Sequence, residues 1–183
     1  MDVGTVSVRY AKALLKYAIE QGEEAVVYGE MDILSQVYLK TPKLRQMIEN
    51  PMLSNEEKLD ILCKATGKSP CKTTQRFFSL VIGKRRTMIM PFMANSYKSL
   101  FLSYKNIVKS RLVVSADVNA AFVNKIQNFV EAKTNSKVEM QVEKDDSIGG
   151  GFVLEYGTYK IDASICNQIK NVRKKLMRTA GNS

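Results

Sequence analysis

The stretch that decides the fold is Ser147-Ile148-Gly149-Gly150-Gly151-Phe152-Val153-Leu154-Glu155-Tyr156-Gly157-Thr158-Tyr159-Lys160-Ile161-Asp162-Ala163-Ser164. Its contiguous glycines superficially resemble a phosphate-binding loop. A Walker loop, however, places four residues between its first glycine and a Gly-Lys-Ser/Thr triplet, so that backbone N–H groups surround the phosphates. Here the glycines run directly into alternating apolar residues. We therefore interpret the stretch as a structural element and not as a phosphate site.

The residues after the glycines predict a β-hairpin followed by a helix. Phe152 to Tyr156 alternate in the period of a strand, with the side chains at even positions on one face. Gly157-Thr158 predicts a two-residue type II′ turn, because glycine is preferred at its first position. Tyr159 to Ile161 then form the return strand. Asp162 is expected to N-cap a helix that begins at Ala163.

The first ~104 residues show helical spacing of apolar side chains and no period-two alternation. Caps and breakers divide them into six predicted helices. These are a first helix from about Val6 that stops at Gly22, a second carrying Val27 to Tyr38, a third opened by Pro42, a fourth with the capping box Ser54-Asn55-Glu56-Glu57, a fifth capped by Ser69-Pro70, and a sixth from Thr87 to Tyr104 interrupted near Pro91.

The pattern changes near residues 105–110, where we place a joint. A strand is predicted over Leu112 to Ala116, a helix from Asp117 or Asn119, a half-exposed strand over Val138 to Val142, the hairpin, and a last helix carrying Ile165 to Leu176. The expected fold is therefore mainly α, with an N-terminal six-helix bundle over residues 1–104 and a small α+β C-terminal module over residues 105–183.

The composition excludes several classes of protein. The chain is 45% hydrophobic and contains no run near the ~18 apolar residues of a membrane-spanning helix. Histidine is absent, which excludes Ser-His-Asp and Cys-His catalysis and removes the imidazole ligand of common zinc and iron sites. Three cysteines, Cys63, Cys71 and Cys166, are expected to be free thiols in a reducing compartment, an all-sulfur metal site being the minor alternative. We expect no cofactor and no metal.

The charged residues offer no evident active site. The net charge of +10 is spread evenly, with a local excess at Lys170, Arg173, Lys174, Lys175 and Arg178. That cluster is either the solvated face of a terminal helix or a docking surface for an acidic partner. The carboxylate pairs Glu23-Glu24, Glu56-Glu57 and Asp145-Asp146 lie at helix starts or in a loop, and adjacency alone does not create the separated pKa values of an acid–base pair. Lys84-Arg85-Arg86 lacks the upstream glycine of a Walker loop and is interpreted as a helix-end cap or a surface contact.

Four motifs together resemble the delta subunit family of bacterial F-type ATP synthases, whose mitochondrial relative is the oligomycin-sensitivity-conferring protein. In chain order they are Arg9-Tyr10-Ala11-Lys12-Ala13-Leu14, then Asn50-Pro51 with Lys58, then Phe77 with Arg86, and the closing run Ile148-Gly149-Gly150-Gly151-Phe152 with Gly157, Lys160, Ile161, Asp162 and Ser164. Thr158 departs from the family, which usually has an aspartate after the hairpin glycine, and so does the extra glycine at 151.

The resemblance implies a non-catalytic stator, which couples proton flow to ATP synthesis by holding the catalytic head against rotor torque. The family's helical bundle receives N-terminal segments of the alpha subunits, and its C-terminal module joins the b subunits of the peripheral stalk. One copy per complex is implied, as a peripheral subunit on the cytoplasmic face of the bacterial inner membrane.

By resemblance, the head-binding residues are Tyr10, Ala11, Ala13, Leu14 and Phe77, and the stalk contact is placed around Lys170, Arg173 and Lys174. The same apolar residues could instead simply close the bundle core, which is favoured for Phe77. A basic nucleic-acid adaptor is the competing function, and it predicts binding that weakens steeply with salt. An enzyme that uses a carboxylate or a lysine is the least supported alternative.

Overall fold

The computed structural model describes residues 3–67 and 69–180, with side chains for all of these except 172 and 175–180. The chain divides into two compact units, Met1–Lys105 and Asn106–Ser183. Its described part is mainly helical, with eight α-helices, six before the first strand and two after it, and one four-stranded sheet in the second unit. No helix in the described ranges combines the length and the apolar character needed to cross a membrane.

The first unit is built from helices packed around one hydrophobic core. Tyr97 and Phe78 are fully buried at its centre, and the Tyr97 hydroxyl donates to the backbone carbonyl of Glu24 at 3.0 Å. This bond satisfies the one polar atom that the large side chain brings into the core. The helices are α1 (Val3–Gln21), α2 (Glu24–Lys40), α3 (Pro42–Glu49), α4 (Asn55–Ala65), α5 (Lys72–Gly83) and α6 (Met90–Tyr104), the last preceded by a 3₁₀ turn at Thr87–Ile89.

Most helix ends in this unit follow the predicted signals. Gly22 ends α1 with φ +69°, and the backbone N–H groups of Gly22 and Glu23 close the helix on the carbonyls of Ile19 and Ala18. Ser54 and Glu57 form the predicted capping box of α4.

The predicted cap of α5 by Ser69-Pro70 is wrong. The helix begins at Lys72, and its N-cap residue Cys71 makes no side-chain cap bond. The backbone N–H of Cys71 instead donates to the Glu30 carboxylate on α2 at 2.7 Å. A contact between residues distant in sequence has replaced the local cap, which a local motif cannot indicate.

Gly29 provides a test of helix propensity in this unit. It lies inside α2, and a Cβ built on it meets no atom within 4 Å. We expect Gly29→Ala to stabilise the unit by up to about 1 kcal/mol, because alanine loses less backbone freedom than glycine on folding into a helix. Urea unfolding measures the gain. A lower midpoint would contradict the expectation and would indicate that this surface of α2 is not open.

The second unit is a sheet with the strand order β2-β1-β3-β4. β1 and β2 are parallel and are joined by the crossover helix α7, whereas β3 pairs antiparallel with both β1 and β4. Leu112, Val130 and Leu154 are buried between α7 and one face of the sheet. The elements are β1 (Ile107–Val114), α7 (Ala120–Thr134), β2 (Lys137–Lys144), β3 (Phe152–Tyr156), β4 (Tyr159–Asp162) and α8 (Ile165–Ala180).

Two predictions for this unit need correction. The strand predicted over Leu112 to Ala116 is β1, which begins at Ile107 and ends at Val114. Ser110, only 3% exposed, occupies a core-facing position and hides the apolar alternation in the first half of the strand. The last helix begins at Ile165 and not at Ala163. Ser164 is its cap, because the Ser164 hydroxyl oxygen accepts the Asn167 N–H at 3.2 Å, while the Asp162 carboxylate accepts the Ser164 N–H at 3.0 Å.

The hairpin and the start of α7 follow the sequence. Phe152, Leu154 and Tyr156 face the core of the second unit, and Tyr156 pairs with Tyr159 across the two-residue turn. Of the two candidate caps, Asn119 begins α7, with its side-chain oxygen accepting the Ala121 N–H at 3.0 Å.

Candidate helix-binding site

The candidate functional site is a surface groove between α1 and α5. Each helix contributes side chains at positions i, i+3, i+4 and i+7, which lie on one helical face. The groove is open and has a volume of about 300 Å³. We call it the α1/α5 groove, and it is lined by Tyr10, Ala13, Leu14 and Tyr17 from α1 and by Thr73, Arg76, Phe77 and Leu80 from α5.

The floor of the α1/α5 groove is apolar. Leu14 and Phe77 are 4% and 8% exposed and belong to the core of the first unit, so their outer surfaces form the base. Leu80 is 50% exposed, which leaves a large apolar side chain uncovered at the edge. An open apolar strip of this kind suits the apolar face of another helix.

The two ends of the groove carry tyrosine–arginine pairs. At one end, Arg86 donates to the Tyr10 hydroxyl at 3.1 Å, and its guanidinium carbon lies 5.4 Å from the centre of the Tyr10 ring. At the other end, Arg76 donates to the Tyr17 hydroxyl. Both cations are therefore held at the groove, Arg76 in its lining and Arg86 behind Tyr10.

The end of α5 explains how Arg86 reaches α1. Arg85 follows the helix with φ +54°, and its N–H donates to the Ile82 carbonyl at 2.8 Å. The Arg86 N–H donates to the Val81 carbonyl at 3.0 Å, which completes a helix-ending motif of the Schellman type. The Lys84-Arg85-Arg86 run thus acts as a helix end and a surface contact, which is the interpretation made from the sequence.

The structure brings together four of the five head-binding residues predicted on α1 and α5. Tyr10, Ala13, Leu14 and Phe77 all line the α1/α5 groove. Phe77 is also a core residue, which is the interpretation favoured from the sequence, and its outer surface lines the groove. Ala11 does not line the groove: it is 0% exposed and lies in the core, because it is rotated by about 100° around the helix from Tyr10.

Sequence reasoning missed the other groove residues. The signal that could have found them is the i, i+3, i+4, i+7 spacing that both helices share, together with an arginine beside Phe77 and Leu80 on one face of α5. Pairing of the rows required knowing that α1 and α5 are neighbours. The missed residues are Tyr17, Thr73, Arg76 and Leu80 in the lining, and Arg86 behind Tyr10.

The predicted stalk contact lies on α8. Lys170, Arg173 and Lys174 are all exposed. Ile165 and Ile169, one turn apart on the same helix, are 46% and 62% exposed. The described part of α8 therefore presents an apolar strip together with basic residues, which is a common composition for a partner-binding helix.

The carboxylate pairs have structural roles. The pKa of Glu57 is held below its ordinary value by hydrogen bonds from Ser54, and that of Glu24 by Lys105. Hydrogen bonds from Ser147 likewise lower the pKa of Asp145. A carboxyl group that acts as a general acid at neutral pH needs a raised pKa. The pKa values of these three carboxylates are lowered instead, which does not suit that role.

The cysteines are free, as the sequence predicted. Burial raises the pKa of the Cys63 and Cys71 thiols, which disfavours the reactive thiolate. Within residues 3–67 and 69–180, no three side chains of histidine, cysteine, aspartate or glutamate gather into a group that could hold a metal ion.

Comparison with known proteins identifies the family. The profile of the family described as ATP synthase delta (OSCP) subunit matches residues 6–176. The ATP synthase subunit delta of Phocaeicola vulgatus is 40% identical over 178 residues, covering 97% of this chain and 96% of the relative. That of Parabacteroides distasonis is 34% identical, covering 97% and 98%.

A solved structure shares the fold. A chain from the cryo-EM structure of the Toxoplasma gondii mitochondrial ATP synthase hexamer matches with a TM-score of 0.66 at 18% identity, over 93% of this chain and 97% of that one. On the near full-length family match and the bacterial relatives, this chain belongs to the ATP synthase delta (OSCP) subunit family, whose members are structural stator subunits and not catalytic ones.

Proposed function

We propose that the two units of this stator subunit hold different partners. The helical unit, residues 1–104, acts as a six-helix bundle that binds the N-terminal segments of the alpha subunits in the α1/α5 groove. The α+β unit, residues 105–183, joins the b subunits of the peripheral stalk. The protein then sits as a peripheral subunit on the cytoplasmic face of the bacterial inner membrane.

The observation that carries this proposal is the geometry of the α1/α5 groove. Matched rows of side chains on two neighbouring helices line one open groove, with Leu14 and Phe77 as its floor and Leu80 exposed at its edge. An amphipathic helix can place apolar side chains at i, i+3/i+4 and i+7 into such a floor. The groove thus offers a binding mode that requires no catalytic group.

The proposal that the two units bind different partners follows from the mechanics of a rotary ATP synthase. Torque on the central shaft is useful only if the catalytic head cannot turn with the shaft. A connector must therefore bind the head at one place and the stalk at another, and its own surfaces supply the binding energy. The family membership and the apolar floor favour this function over the nucleic-acid adaptor.

The head contact can be tested by titrating the full-length protein with a synthetic peptide of the alpha N-terminal segment. We expect saturable one-to-one binding and co-purification with a catalytic head that lacks its delta subunit. A head whose alpha subunits have lost these segments should not retain the protein. Equal retention of the truncated head would contradict the assignment of the groove.

The stalk contact is tested by charge reversal at three exposed positions, Lys170→Glu, Arg173→Glu and Lys174→Glu. Truncating the chain after Asp162 would be less clean, because the Ile165 N–H donates to the Gly150 carbonyl at 3.0 Å and so helps to close the glycine loop. We expect the triple variant to lose at least about tenfold in affinity for the soluble b domain and to bind the alpha peptide normally. Unchanged b binding would remove this cluster from the stalk contact.

A further inference from the structure

We propose that Arg76 and Arg86 make the α1/α5 groove selective for an amphipathic helix that carries acidic side chains two turns apart beside its apolar stripe. This inference rests on the proposed function, because it requires that the groove receives a partner helix. It adds the chemistry by which that helix is chosen.

The helices that form the groove are strongly basic. The sequence of α5 contains no acidic residue, and the one acidic residue of α1 is Glu20, near the end of the helix. Exposed cations accompany both rows: Arg9, Lys12 and Lys16 on α1, Lys72 and Arg76 on α5. Such a surface attracts an acidic partner and repels a basic one.

Arg76 and Arg86 differ from the arginines whose charge is already matched. Arg45 pairs with Glu49 at 2.7 Å, and Arg111 pairs with Glu143 at 2.6 Å. Within the described residues, Arg76 and Arg86 bond to tyrosine hydroxyls and form no ion pair with a carboxylate. A guanidinium has five N–H donors, and Arg76 is exposed and Arg86 half-buried, so each has N–H groups beyond its tyrosine bond with which to meet a partner.

The tyrosines fix the spacing of the two cations. Tyr10 and Tyr17 are seven residues apart on α1, so their Cα atoms lie about 10.5 Å apart along the helix axis, and each tyrosine holds one arginine by its hydroxyl. A helix lying along the groove has the same rise per residue. Two carboxylates at positions i and i+7 of its flank would therefore face the two guanidinium groups.

An apolar floor between two cations favours a helix over a nucleic acid. The surfaces of Ala13, Leu14 and Leu80 offer aliphatic contact and no hydrogen-bond donor to a base edge. An aliphatic stripe buries well there, whereas a phosphate chain would be desolvated against it.

The test uses three synthetic helical peptides with one apolar stripe, which differ only at two flanking positions seven residues apart: glutamate, glutamine or lysine at both. We expect the full-length protein to bind the glutamate peptide roughly three- to tenfold more tightly than the glutamine peptide, and the lysine peptide most weakly. Raising the salt concentration should shrink these ratios, because the pairs are exposed.

The double variant Arg76→Gln, Arg86→Gln should lose most of the preference for the glutamate peptide and keep only the weaker preference that the remaining cations of α1 and α5 produce. The matched control, Lys40→Gln with Lys43→Gln, removes the same charge from exposed positions outside the groove lining and should keep the full preference. Loss of the preference in both variants would overturn the inference, since net charge alone would then explain it.

The inference and the proposed function fail differently. If the alpha peptide and all three designed peptides fail to bind, the groove is not a helix site and the proposed function falls. If they bind without regard to flanking charge, only the selectivity is overturned. A single-stranded oligonucleotide that binds with the same dependence on Arg76 and Arg86 would overturn the inference in favour of a nucleic-acid site.

Discussion

Ala13→Glu is expected to abolish binding of the alpha N-terminal peptide and of the catalytic head, while the first unit stays folded. Ala13 is exposed on α1 and lines the groove between Tyr10 and Tyr17, about one turn from each. A glutamate there fills the groove and places a carboxylate over the apolar floor. Burying that charge under a partner helix costs several kcal/mol, which corresponds to a loss of at least about hundredfold in affinity.

The same substitution should hardly change stability. Glutamate is nearly as good a helix former as alanine, so the expected cost in an exposed helix is a few tenths of a kcal/mol. Circular dichroism and urea unfolding check the fold, and calorimetric titration measures the affinity. A large drop in the unfolding midpoint would show that Ala13 supports the core and not a partner.

Ala25→Glu is the matched control for this experiment. Ala25 is exposed on α2, outside the groove lining, and accepts the same side chain in a helix. It should bind the alpha peptide as the wild type does. If Ala13→Glu and Ala25→Glu retain equal affinity, Ala13 is not part of the site.

Local sequence signals predicted the elements well wherever a local interaction decides the structure. The stop at Gly22, the Ser54–Glu57 capping box and the Gly157-Thr158 turn all depend on residues within five positions of one another. The predicted cap of α5 was wrong because the Cys71 N–H donates to the Glu30 carboxylate, which lies on another helix. The predicted start of the last helix was wrong because aspartate and serine are both good N-cap residues. Asp162 pairs with Val153 as the last residue of β4, which leaves Ser164 to cap the helix.

The candidate site was only half predictable for a similar reason. A helical repeat indicates which residues share a face, so Tyr10, Ala13 and Leu14 could be grouped from the sequence. It does not indicate which helices are neighbours. The bond between Arg76 and Tyr17 joins residues 59 positions apart, and that between Arg86 and Tyr10 joins residues 76 apart. Ala11 was assigned to the binding surface although it lies in the core, because a side chain as small as alanine is compatible with either position.

Gly151→Ala is expected to unfold part of the second unit and to abolish b binding without affecting binding of the alpha peptide. Gly151 has φ +76°, a left-handed conformation that costs alanine about 1–2 kcal/mol. An added Cβ would also lie 2.3 Å from the backbone oxygen of Ala163. A backbone atom cannot move aside as the end of a flexible side chain can, so the total destabilisation should reach about 3 kcal/mol or more.

The position of Ala163 explains why the Gly151→Ala substitution should destabilise more than the glycine loop itself. The Ala163 N–H donates to the Phe152 carbonyl at 3.0 Å, and the Ile165 N–H donates to the Gly150 carbonyl at 3.0 Å. These bonds hold the glycine loop against the start of α8. Pushing Ala163 away from Gly151 strains both at once, and with them the junction between β3 and α8.

Gly157→Ala separates backbone strain from the steric contact. Gly157 also has a positive φ, +55°, but a Cβ built on it meets no atom within 4 Å. This variant should lose only about 1 kcal/mol. The difference between the two variants therefore measures the contact of the Gly151 position with Ala163.

Hydrogen exchange resolved by peptide is the appropriate measurement, because tyrosines occur in both units and their fluorescence would mix two transitions. In Gly151→Ala we expect faster exchange in β1, β3 and β4 and unchanged exchange in α1 to α6. Losing about 3 kcal/mol is a large part of the 5–15 kcal/mol that stabilises a typical domain, so opening should be at least about hundredfold more frequent. Equal exchange in the Gly151 and Gly157 variants would show that the loop can move away from Ala163, and the extra glycine would then be a tolerated variation and not a requirement of the fold.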